Sequence, residues 1–250
     1  MEYNSIKNIQ QTLKNEGIYL PSVDGICGPK TVESILKGLN GGQFKLEFDF
    51  ITFRKLFNIK TLKQSTVDNI NHLLTEVNLY ATSNDKVLRQ AANPLVVAYL
   101  LATTWHETNF TFKPIKETGG NKYLSKYDTG KLAKILGNTL IADGDGILYA
   151  GRGYSMITGR RNYQIFSGLL SIDLLGNPDL ALNPKVASDI LILGSLKGLF
   201  TGKNLLDFIK YGTSEEFKEA RRVINGTDKN ITIALYATKF VECIKIIKIK

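Results

Sequence analysis

Residues 95–108 read LVVAYLLATTWHET, and this stretch decides the class of fold. The run from Leu95 to Ala102 is apolar throughout, and it follows Asn93-Pro94, a pair typical of a helix start. The run is far shorter than the roughly 20 residues that a membrane span needs. It therefore predicts a buried core helix that ends near Glu107.

Apolar residues recur at helical spacing on both sides of this core helix. Alternating runs are few, so we expect a mainly α protein with a minor β element somewhere within residues 110–160. Residues 40–62 begin with the flexible break Asn40-Gly41-Gly42 and continue as KLEFDFITF, which fits a strand or a short helix. Further helices are predicted over residues 3–16, 31–39, 63–82, 184–200, 204–210, 214–224 and 231–247.

Composition narrows the class of protein. The 250 residues suit one or two domains, and the net charge of +9 favours a polyanionic partner such as nucleic acid, a membrane surface or an anionic cell wall. Cys27 and Cys243 form no CxxC pair, which excludes a zinc ribbon. We expect two buried free thiols, with a long-range disulfide left open. The N-terminus MEYNSIKNIQ has no basic region followed by an apolar stretch, so no signal peptide is expected.

Glu107 is a candidate general acid. It lies at the C-terminal end of the apolar helix, where the negative end of the helix dipole and apolar neighbours both disfavour a charged carboxylate. We therefore expect a raised pKa, which suits a proton donor at neutral pH. The structural alternative is an ordinary surface Glu bonded to a nearby Lys.

Glu117 is a candidate second carboxylate. It lies in KPIKETGG, where Gly119-Gly120 permits a sharp turn that would present Glu117 opposite Glu107. Two carboxylates across a cleft are the arrangement that glycosidases use. The structural alternative is a solvated loop carboxylate.

The segment YAGRGYSMITGRRNY, residues 149–163, supplies candidate substrate contacts. Its glycines permit close approach of the backbone, its tyrosines offer flat faces to sugar rings, and Thr158 and Asn162 offer polar groups. A phosphate-binding loop is disfavoured because the GKS/T ending and a preceding strand rich in Val and Ile are lacking.

The string IQQTLKNEGIYLPSVDGICGPKTVESIL, residues 9–36, resembles the small three-helix peptidoglycan-binding domain found beside many wall hydrolases. The resemblance implies a wall-binding domain with linker over residues 1–60. A helical hairpin without a ligand is the structural alternative. The matching turn residues are Asp24, Gly25, Gly28 and Thr31.

A second resemblance covers roughly residues 62–250. WHETNF, KETGG, DGDGILYAGRGYSMITGRRNY, NPDLALNP and RRVINGT occur in this order. Together they are similar to the catalytic domain of family 19 glycoside hydrolases, the chitinase-like enzymes, in the short forms found in bacteriophage endolysins. The resemblance implies a lysozyme-like α+β catalytic domain over residues 61–250.

The resemblance also implies roles for residues. Glu107 would donate the proton, Glu117 would activate the water, and Thr158 would help to hold that water. Met156 stands where the family usually has Gln, which leaves the sugar preference open. Asp143 and Asp145 are the next candidates for the base. Implied contacts with sugar fall on Asn162 and Asn225, and Tyr149 and Arg152 would belong to the same cleft wall. Apart from the resemblance, His106 is expected to be a hydrogen-bonding residue beside the acid, and Tyr154 is a further candidate substrate contact.

The implied activity is inverting hydrolysis of β-1,4 bonds in peptidoglycan, with lysis of the host cell. Neither a metal nor an organic cofactor is expected. We expect a monomer with peptidoglycan as partner, without nucleic acid or stable membrane insertion, held in the host cytoplasm until release to the wall.

Three other functions stay open at this point. A zinc peptidase lacks HExxH, because Phe110 stands where the second His is required, and the chain has only His72 and His106. A non-catalytic wall- or chitin-binding protein would be expected to lose a carboxylate, and both are present. A nucleic-acid binder has only the basic charge in its favour. Chitin is the alternative substrate for an enzyme.

Overall fold

The computed structural model describes residues 1–19 and 21–249. Helices dominate this part of the chain, which confirms the predicted mainly α fold with small β elements. In chain order the elements are α1 (Asn4–Asn15), α2 (Pro29–Asn40), β1 (Phe44–Phe48), α3 (Phe50–Leu56), α4 (Gln64–Tyr80), α5 (Lys86–Arg89), α6 (Pro94–Glu107), β2 (Ile115–Lys116), α7 (Gly120–Leu124), α8 (Gly130–Leu136), α9 (Asp145–Leu148), β3 (Arg152–Gly153), α10 (Arg160–Leu170), α11 (Pro184–Lys197), α12 (Ser214–Ala220), α13 (Asn230–Val241) and β4 (Ile244–Lys248).

Several predicted helices are shorter than their apolar pattern suggested. The segment 204–210 contains only a 3₁₀ turn, Leu205–Asp207, and the segment 214–224 divides into α12 and the 3₁₀ turn Arg221–Val223. Residues 40–62 hold both a strand, β1, and a helix, α3, whose N-cap Asp49 accepts hydrogen bonds from the backbone of the first turn. Both structures predicted for this segment, a strand and a short helix, are therefore present in different parts of it.

The prediction of helix over 231–247 is wrong beyond Val241. Residues Ile244–Lys248 form β4, which pairs antiparallel with β1, so that Phe44 lies opposite Lys248 and Phe48 opposite Ile244. Ile244 and Ile246 are buried while Lys245 between them is exposed, the period of two that a half-buried strand requires. The partner strand lies some two hundred residues away in sequence, where helical spacing cannot detect it.

Helix α6 is the buried core helix that the sequence predicts. Every residue from Pro94 to Thr104 is buried, so the helix is covered on all sides rather than along one stripe. Asn93 precedes it and accepts a 3.0 Å hydrogen bond from the backbone N–H of Leu95, which satisfies one donor of the first turn.

Contacts divide the chain into two compact units. The first comprises Met1–His106 and Ile192–Lys250, and the second comprises Glu107–Leu191. This division does not coincide with the boundary predicted near residue 60. A separate wall-binding domain over residues 1–60, with a catalytic domain over 61–250, stays a prediction.

Residues near the N-terminus are bound to the C-terminal part of the first unit. The Tyr3 hydroxyl donates to the carbonyl of Gly212 over 2.7 Å, and the Ser5 hydroxyl donates to the carbonyl of Val241 over 2.8 Å. The ring of Phe53 in α3 stacks on Phe240 in α13, with centroids 5.6 Å apart. Together with the β1–β4 pairing, these contacts make residues 1–60 part of the structural support of the first unit.

Both cysteine thiols, of Cys27 and Cys243, are free and buried, which confirms the prediction of two reduced thiols. Burial raises the pKa of the Cys27 thiol to about 12, so it stays protonated at neutral pH. In the described part of the chain, no helix has the length and apolar character needed to cross a membrane.

Candidate active site

Glu107 is the last residue of α6, as predicted from the apolar run before it, and it is half-buried. The backbone after it is unusual, because Asn109, Phe110 and Phe112 all have positive φ, at 50°, 64° and 57°. A left-handed conformation costs a residue with a Cβ about 1–2 kcal/mol. Strained residues of this kind concentrate at functional sites, and here they follow Glu107 directly.

Glu117 is placed by strand pairing. β2 pairs antiparallel with β3, and the backbone N–H of Glu117 donates to the carbonyl of Gly151 over 2.8 Å. This differs from the expected cause, a turn at Gly119-Gly120. That pair comes after Glu117, and in the structure Gly119 caps α7 and Gly120 is its first residue. The side chain of Glu117 is half-buried in the second unit, the unit that begins with Glu107.

Two donors hold the carboxylate of Glu117. The backbone N–H of Gly151 donates to Oε2 over 3.0 Å, and the hydroxyl of Tyr127 donates to Oε1 over 3.1 Å. Hydrogen bonds to a charged carboxylate are stronger than bonds between neutral groups, and two of them fix its orientation. The acceptor is therefore preorganised rather than a freely rotating loop carboxylate.

Tyr127 is a neutral donor. Burial raises the pKa of its hydroxyl, and the negative charge of Glu117 acts in the same direction, although a hydrogen bond with Lys126 opposes both. The ammonium of Lys126 also lies 3.4 Å from the ring centroid of Tyr123 and 4.6 Å from that of Tyr127. The hydroxyl of Tyr127 thus keeps its proton at neutral pH and can donate it to the hydrogen bond with Glu117.

The side chains of Glu117 and Thr158 both lie close to the Cα of Gly151. A Cβ atom added to Gly151 would lie 3.1 Å from Oε2 of Glu117 and 3.3 Å from Oγ1 of Thr158. Such distances are tight for a Cβ, so any larger residue would press on both polar groups. The glycine in the predicted contact segment therefore permits close approach of the protein's own carboxylate.

Thr158 is held by its neighbours in the second unit. Its hydroxyl donates to the carbonyl of Met156 over 3.0 Å, and the side-chain amide of Asn162 donates to the carbonyl of Thr158 over 2.8 Å. Both oxygen lone pairs of the Thr158 hydroxyl remain acceptors for a water or a substrate group. Thr158 thus lies near Glu117, and Asn162 holds the backbone of Thr158. The roles of Thr158 in holding water and of Asn162 in contacting sugar stay predictions.

Met156 has φ of +53°, and its Cε lies 3.1 Å from the Cβ position of Gly151. A thioether therefore lies next to the Glu117 and Thr158 groups, where the family resemblance implied a Gln. A thioether sulfur is at most a weak hydrogen-bond acceptor, so the apolar side chain offers no amide donor at this position.

Three predicted sugar-contact residues are instead buried parts of the framework. Tyr149 is 3% exposed, Arg152 is 2% exposed and Tyr154 is 1% exposed. The Tyr149 hydroxyl donates to the carbonyl of Leu175, and its ring packs against Tyr163. The prediction that these side chains contact a sugar directly is corrected, because they present almost no surface to a ligand.

Arg152 is a buried junction of hydrogen bonds. Its guanidinium donates to the carbonyls of Leu148 and Ala150, both over 2.9 Å, and to Asp179 over 2.6 Å. This hydrogen bond with Arg152 is the main cause that lowers the pKa of Asp179. Arg152 therefore fixes the loop that carries Gly151, and through it the position of Glu117.

The two alternative base candidates differ from Glu117 in their surroundings. Arg160 donates to Asp145 over 2.8 Å, and the backbone N–H of Thr139 donates to it over 2.9 Å. The hydrogen bond with Arg160 is the main cause that lowers the pKa of Asp145, which is buried. Asp143 accepts a 2.6 Å hydrogen bond from the Thr139 hydroxyl. The carboxylate of Asp145 is thus held in an ion pair with Arg160.

The predicted wall-binding residues form an internally bonded turn in the first unit. The amide of Gln10 donates to Asp24 over 2.9 Å and accepts from the backbone N–H of Gly25 over 2.8 Å. Gly25 has φ of +78°, and a Cβ there would meet the Tyr3 carbonyl at 2.9 Å. Thr31 is buried and donates to the Ile26 carbonyl, while Gly28 caps α2. This motif maintains the turn, and wall contacts by these four residues stay a prediction.

Two further predicted residues belong to the first unit. His106 is half-buried in the last turn of α6, directly before Glu107. Asn225 is exposed in a turn, where its backbone N–H donates to the carbonyl of Arg221 over 3.0 Å. Their contacts with a sugar stay predictions. Within residues 1–19 and 21–249, no group of three His, Cys, Asp or Glu side chains is arranged to hold a metal ion.

No family model matches the chain. Among solved structures, it is similar to chitinase C from Streptomyces griseus HUT6037, at 19% identity and a TM-score of 0.48, covering 77% of this chain and 74% of the other. A mutant of chitinase C gives 20% identity and a TM-score of 0.48, covering 76% and 72%. A bacterial family 19 chitinase gives 18% identity and a TM-score of 0.41, covering 77% and 92%. Because identity and structural similarity to these proteins are low, the function proposed below is argued from the side chains of this chain.

The sequence alone missed Tyr127 as a partner of Glu117. Tyr127 lies in NKYLSKYDTG, where Tyr123 has the same residue type and similar neighbours. Gly151 lies in a quoted motif, but its proximity to Glu117 depends on the β2–β3 pairing. Pairing between two strands of two residues leaves no periodic signal in sequence.

Proposed function

We propose that the chain is a glycoside hydrolase that cleaves β-1,4 bonds of bacterial peptidoglycan by an inverting mechanism. The observation that carries this proposal is the preorganised carboxylate of Glu117, which receives hydrogen bonds from Gly151 and Tyr127 close to the hydroxyl of Thr158. A fixed carboxylate beside a hydroxyl is suited to orient and deprotonate a water molecule.

In the proposed mechanism, Glu107 protonates the glycosidic oxygen as the bond to the leaving sugar breaks. Glu117 takes a proton from a water molecule that attacks the anomeric carbon from the opposite face, and Thr158 helps to hold that water. Inversion requires the two carboxyl groups to be roughly 6.5–9.5 Å apart so that the water fits between them. Tyr127 and Gly151 act as positioning residues for Glu117.

Peptidoglycan is proposed above chitin because of the N-terminal segment. Residues 9–36 resemble a peptidoglycan-binding domain, and the net charge of +9 suits an anionic wall. A glycosidase with this combination fits the role of a phage endolysin that lyses the host cell. Chitin is the alternative substrate, because both polymers contain β-1,4-linked N-acetylglucosamine.

Mass spectrometry of wall digests tests the proposed function. Purified protein is incubated with peptidoglycan sacculi and, separately, with chitin oligomers. New reducing sugar ends from sacculi support the proposal, and cleavage of chitin alone moves the substrate to chitin. New free amines would instead indicate a peptidase or amidase. A protein that binds sacculi without producing either kind of end is a wall-binding protein, and the proposal is then wrong.

A further inference from the structure

A cavity of about 620 Å³ lies within the first unit. Helix α2, helix α5 and the segment 206–210 contribute to its lining, together with Gln90 and Asn93. This volume is within the range of sites that hold small ligands, roughly 300–1,000 Å³. The cavity contains none of the residues assigned to glycan cleavage.

Part of the lining is apolar. Val32 and Leu36 of α2 contribute aliphatic side chains, as do Leu206 and Ile209. Val32 and Ile209 are themselves buried, so these groups form an apolar base of the cavity that is packed into the protein. Contact with small aliphatic groups of a ligand would remove apolar surface from water on both sides.

The charged lining is predominantly basic. Lys37, Lys86, Arg89 and Lys210 line the cavity, against the single carboxylate of Glu33. Among residues 1–19 and 21–249, Lys37, Lys86 and Lys210 form no ion pair, and all three are exposed. The charge that an occupant would complement is therefore positive.

We propose that this cavity binds a short acidic peptide that carries small aliphatic side chains. The cations match its carboxylates, the aliphatic base matches its side chains, and the carboxamides of Asn40 and Gln90 can both donate to and accept from its backbone. Inorganic phosphate would leave the aliphatic base without a partner. A neutral sugar would leave the cations without a counter-charge. The site stands whether or not Glu107 and Glu117 cleave a glycan.

Calorimetric titration of the full chain at low salt tests the proposal. The probe is acetyl-Ala-Glu-Ala-Ala with a free C-terminal carboxylate, and the control is the neutral acetyl-Ala-Gln-Ala-Ala amide. We expect saturable one-to-one binding of the acidic peptide and affinity about tenfold lower for the neutral peptide. Binding should also weaken as salt is added, because ions screen the exposed cations.

Matched variants localise the binding. Lys37→Glu should lower the affinity about tenfold, whereas Lys60→Glu, an equal charge change at an exposed lysine outside the cavity, should leave it within about twofold. If Lys37→Glu does not fold, as judged by its thermal transition, Lys210→Gln replaces it. Equal binding of the neutral peptide, unchanged affinity in the cavity variant, or full competition by inorganic phosphate would overturn the proposal, as would no saturable binding at millimolar peptide.

Discussion

The hydroxyl of Tyr127 donates a 3.1 Å hydrogen bond to Oε1 of Glu117, ten residues earlier in the chain. The backbone N–H of Gly151 holds the other oxygen. One donor comes from a 3₁₀ turn and the other from the loop before β3, so the orientation of one carboxylate depends on two separate segments.

Replacement of Tyr127 by Phe tests this relationship. We expect Tyr127→Phe to lower kcat about tenfold, because one hydrogen bond to a charged group contributes roughly 1.5–3 kcal/mol. KM should change little. Steady-state kinetics on soluble glycan fragments measure kcat and KM separately.

The matched control is Tyr123→Phe, which removes an exposed hydroxyl from the same segment. It should leave kcat and KM unchanged. A fall in the activity of Tyr127→Phe that is matched by an equal loss of folded protein, as judged by its thermal transition, would mean that Tyr127 supports the fold rather than the position of Glu117.

A methyl group at Gly151 should displace the carboxylate. In Gly151→Ala the added Cβ would lie 3.1 Å from Oε2 of Glu117 and 3.3 Å from Oγ1 of Thr158, so one or both must move. We expect activity to fall by about a hundredfold, since small misplacement of reacting groups has effects of this size. Activity and thermal stability are measured together.

Gly168→Ala serves as the control for Gly151→Ala. Gly168 lies within α10, has no positive φ, and a Cβ there meets nothing within 4 Å. Alanine should stabilise this helix by roughly 0.5–1 kcal/mol and leave activity intact. Equal activity in the two variants would show that Gly151 does not determine the position of Glu117.

Arg152 should matter for stability more than its surface partner does. Arg152→Met removes the side-chain donor to the carbonyl of Leu148 and one of the two donors to the buried carbonyl of Ala150, which also accepts from the Tyr163 hydroxyl. We expect this change to cost about 2–4 kcal/mol of the free energy of unfolding. Asp179→Asn should cost about 1 kcal/mol or less, because this partner is largely exposed. Urea denaturation of both variants checks the order, and a larger loss in Asp179→Asn would contradict it.

The unbroken apolar run before Glu107 sufficed to predict α6. The polar side chains of Thr158 and Asn162 were chosen by residue type and by family resemblance, and the structure connects these two residues by a hydrogen bond. The segment 149–163 also contains Tyr149, Arg152 and Tyr154, which are buried. Residue type alone cannot distinguish a tyrosine that faces a ligand from one that packs inside. β4 was missed because its partner β1 lies at the other end of the chain.

The ion pair of Asp145 and Arg160 should make stability depend on acid. Because the hydrogen bond with Arg160 lowers the pKa of Asp145 in the folded state, unfolding in acid takes up a proton. The stabilisation is complete above the unfolded value of about 3.9 and is lost as the pH falls through the lower folded value.

The pH effect is measured by urea denaturation at pH 6 and pH 3. Asp145→Asn should be less stable than the parent at pH 6 by about 2 kcal/mol and should show a smaller loss between the two pH values. The control Lys60→Gln removes an exposed charge far from this ion pair in sequence, and its stability should depend on pH as that of the parent protein does. An unchanged pH dependence in Asp145→Asn would place the acid-sensitive group elsewhere.

The most direct test of the central claim is the count of new reducing ends on sacculi for Glu107→Gln and Glu117→Gln, beside Asp143→Asn. Gln keeps the shape of Glu but neither donates the acid proton nor accepts one from water. Both Glu variants should fold and lose activity by about 10²–10⁴-fold, the usual contribution of general acid–base catalysis, while Asp143→Asn stays active. Retention of more than about a tenth of the activity in a folded Glu107→Gln or Glu117→Gln protein would contradict the two-carboxylate account.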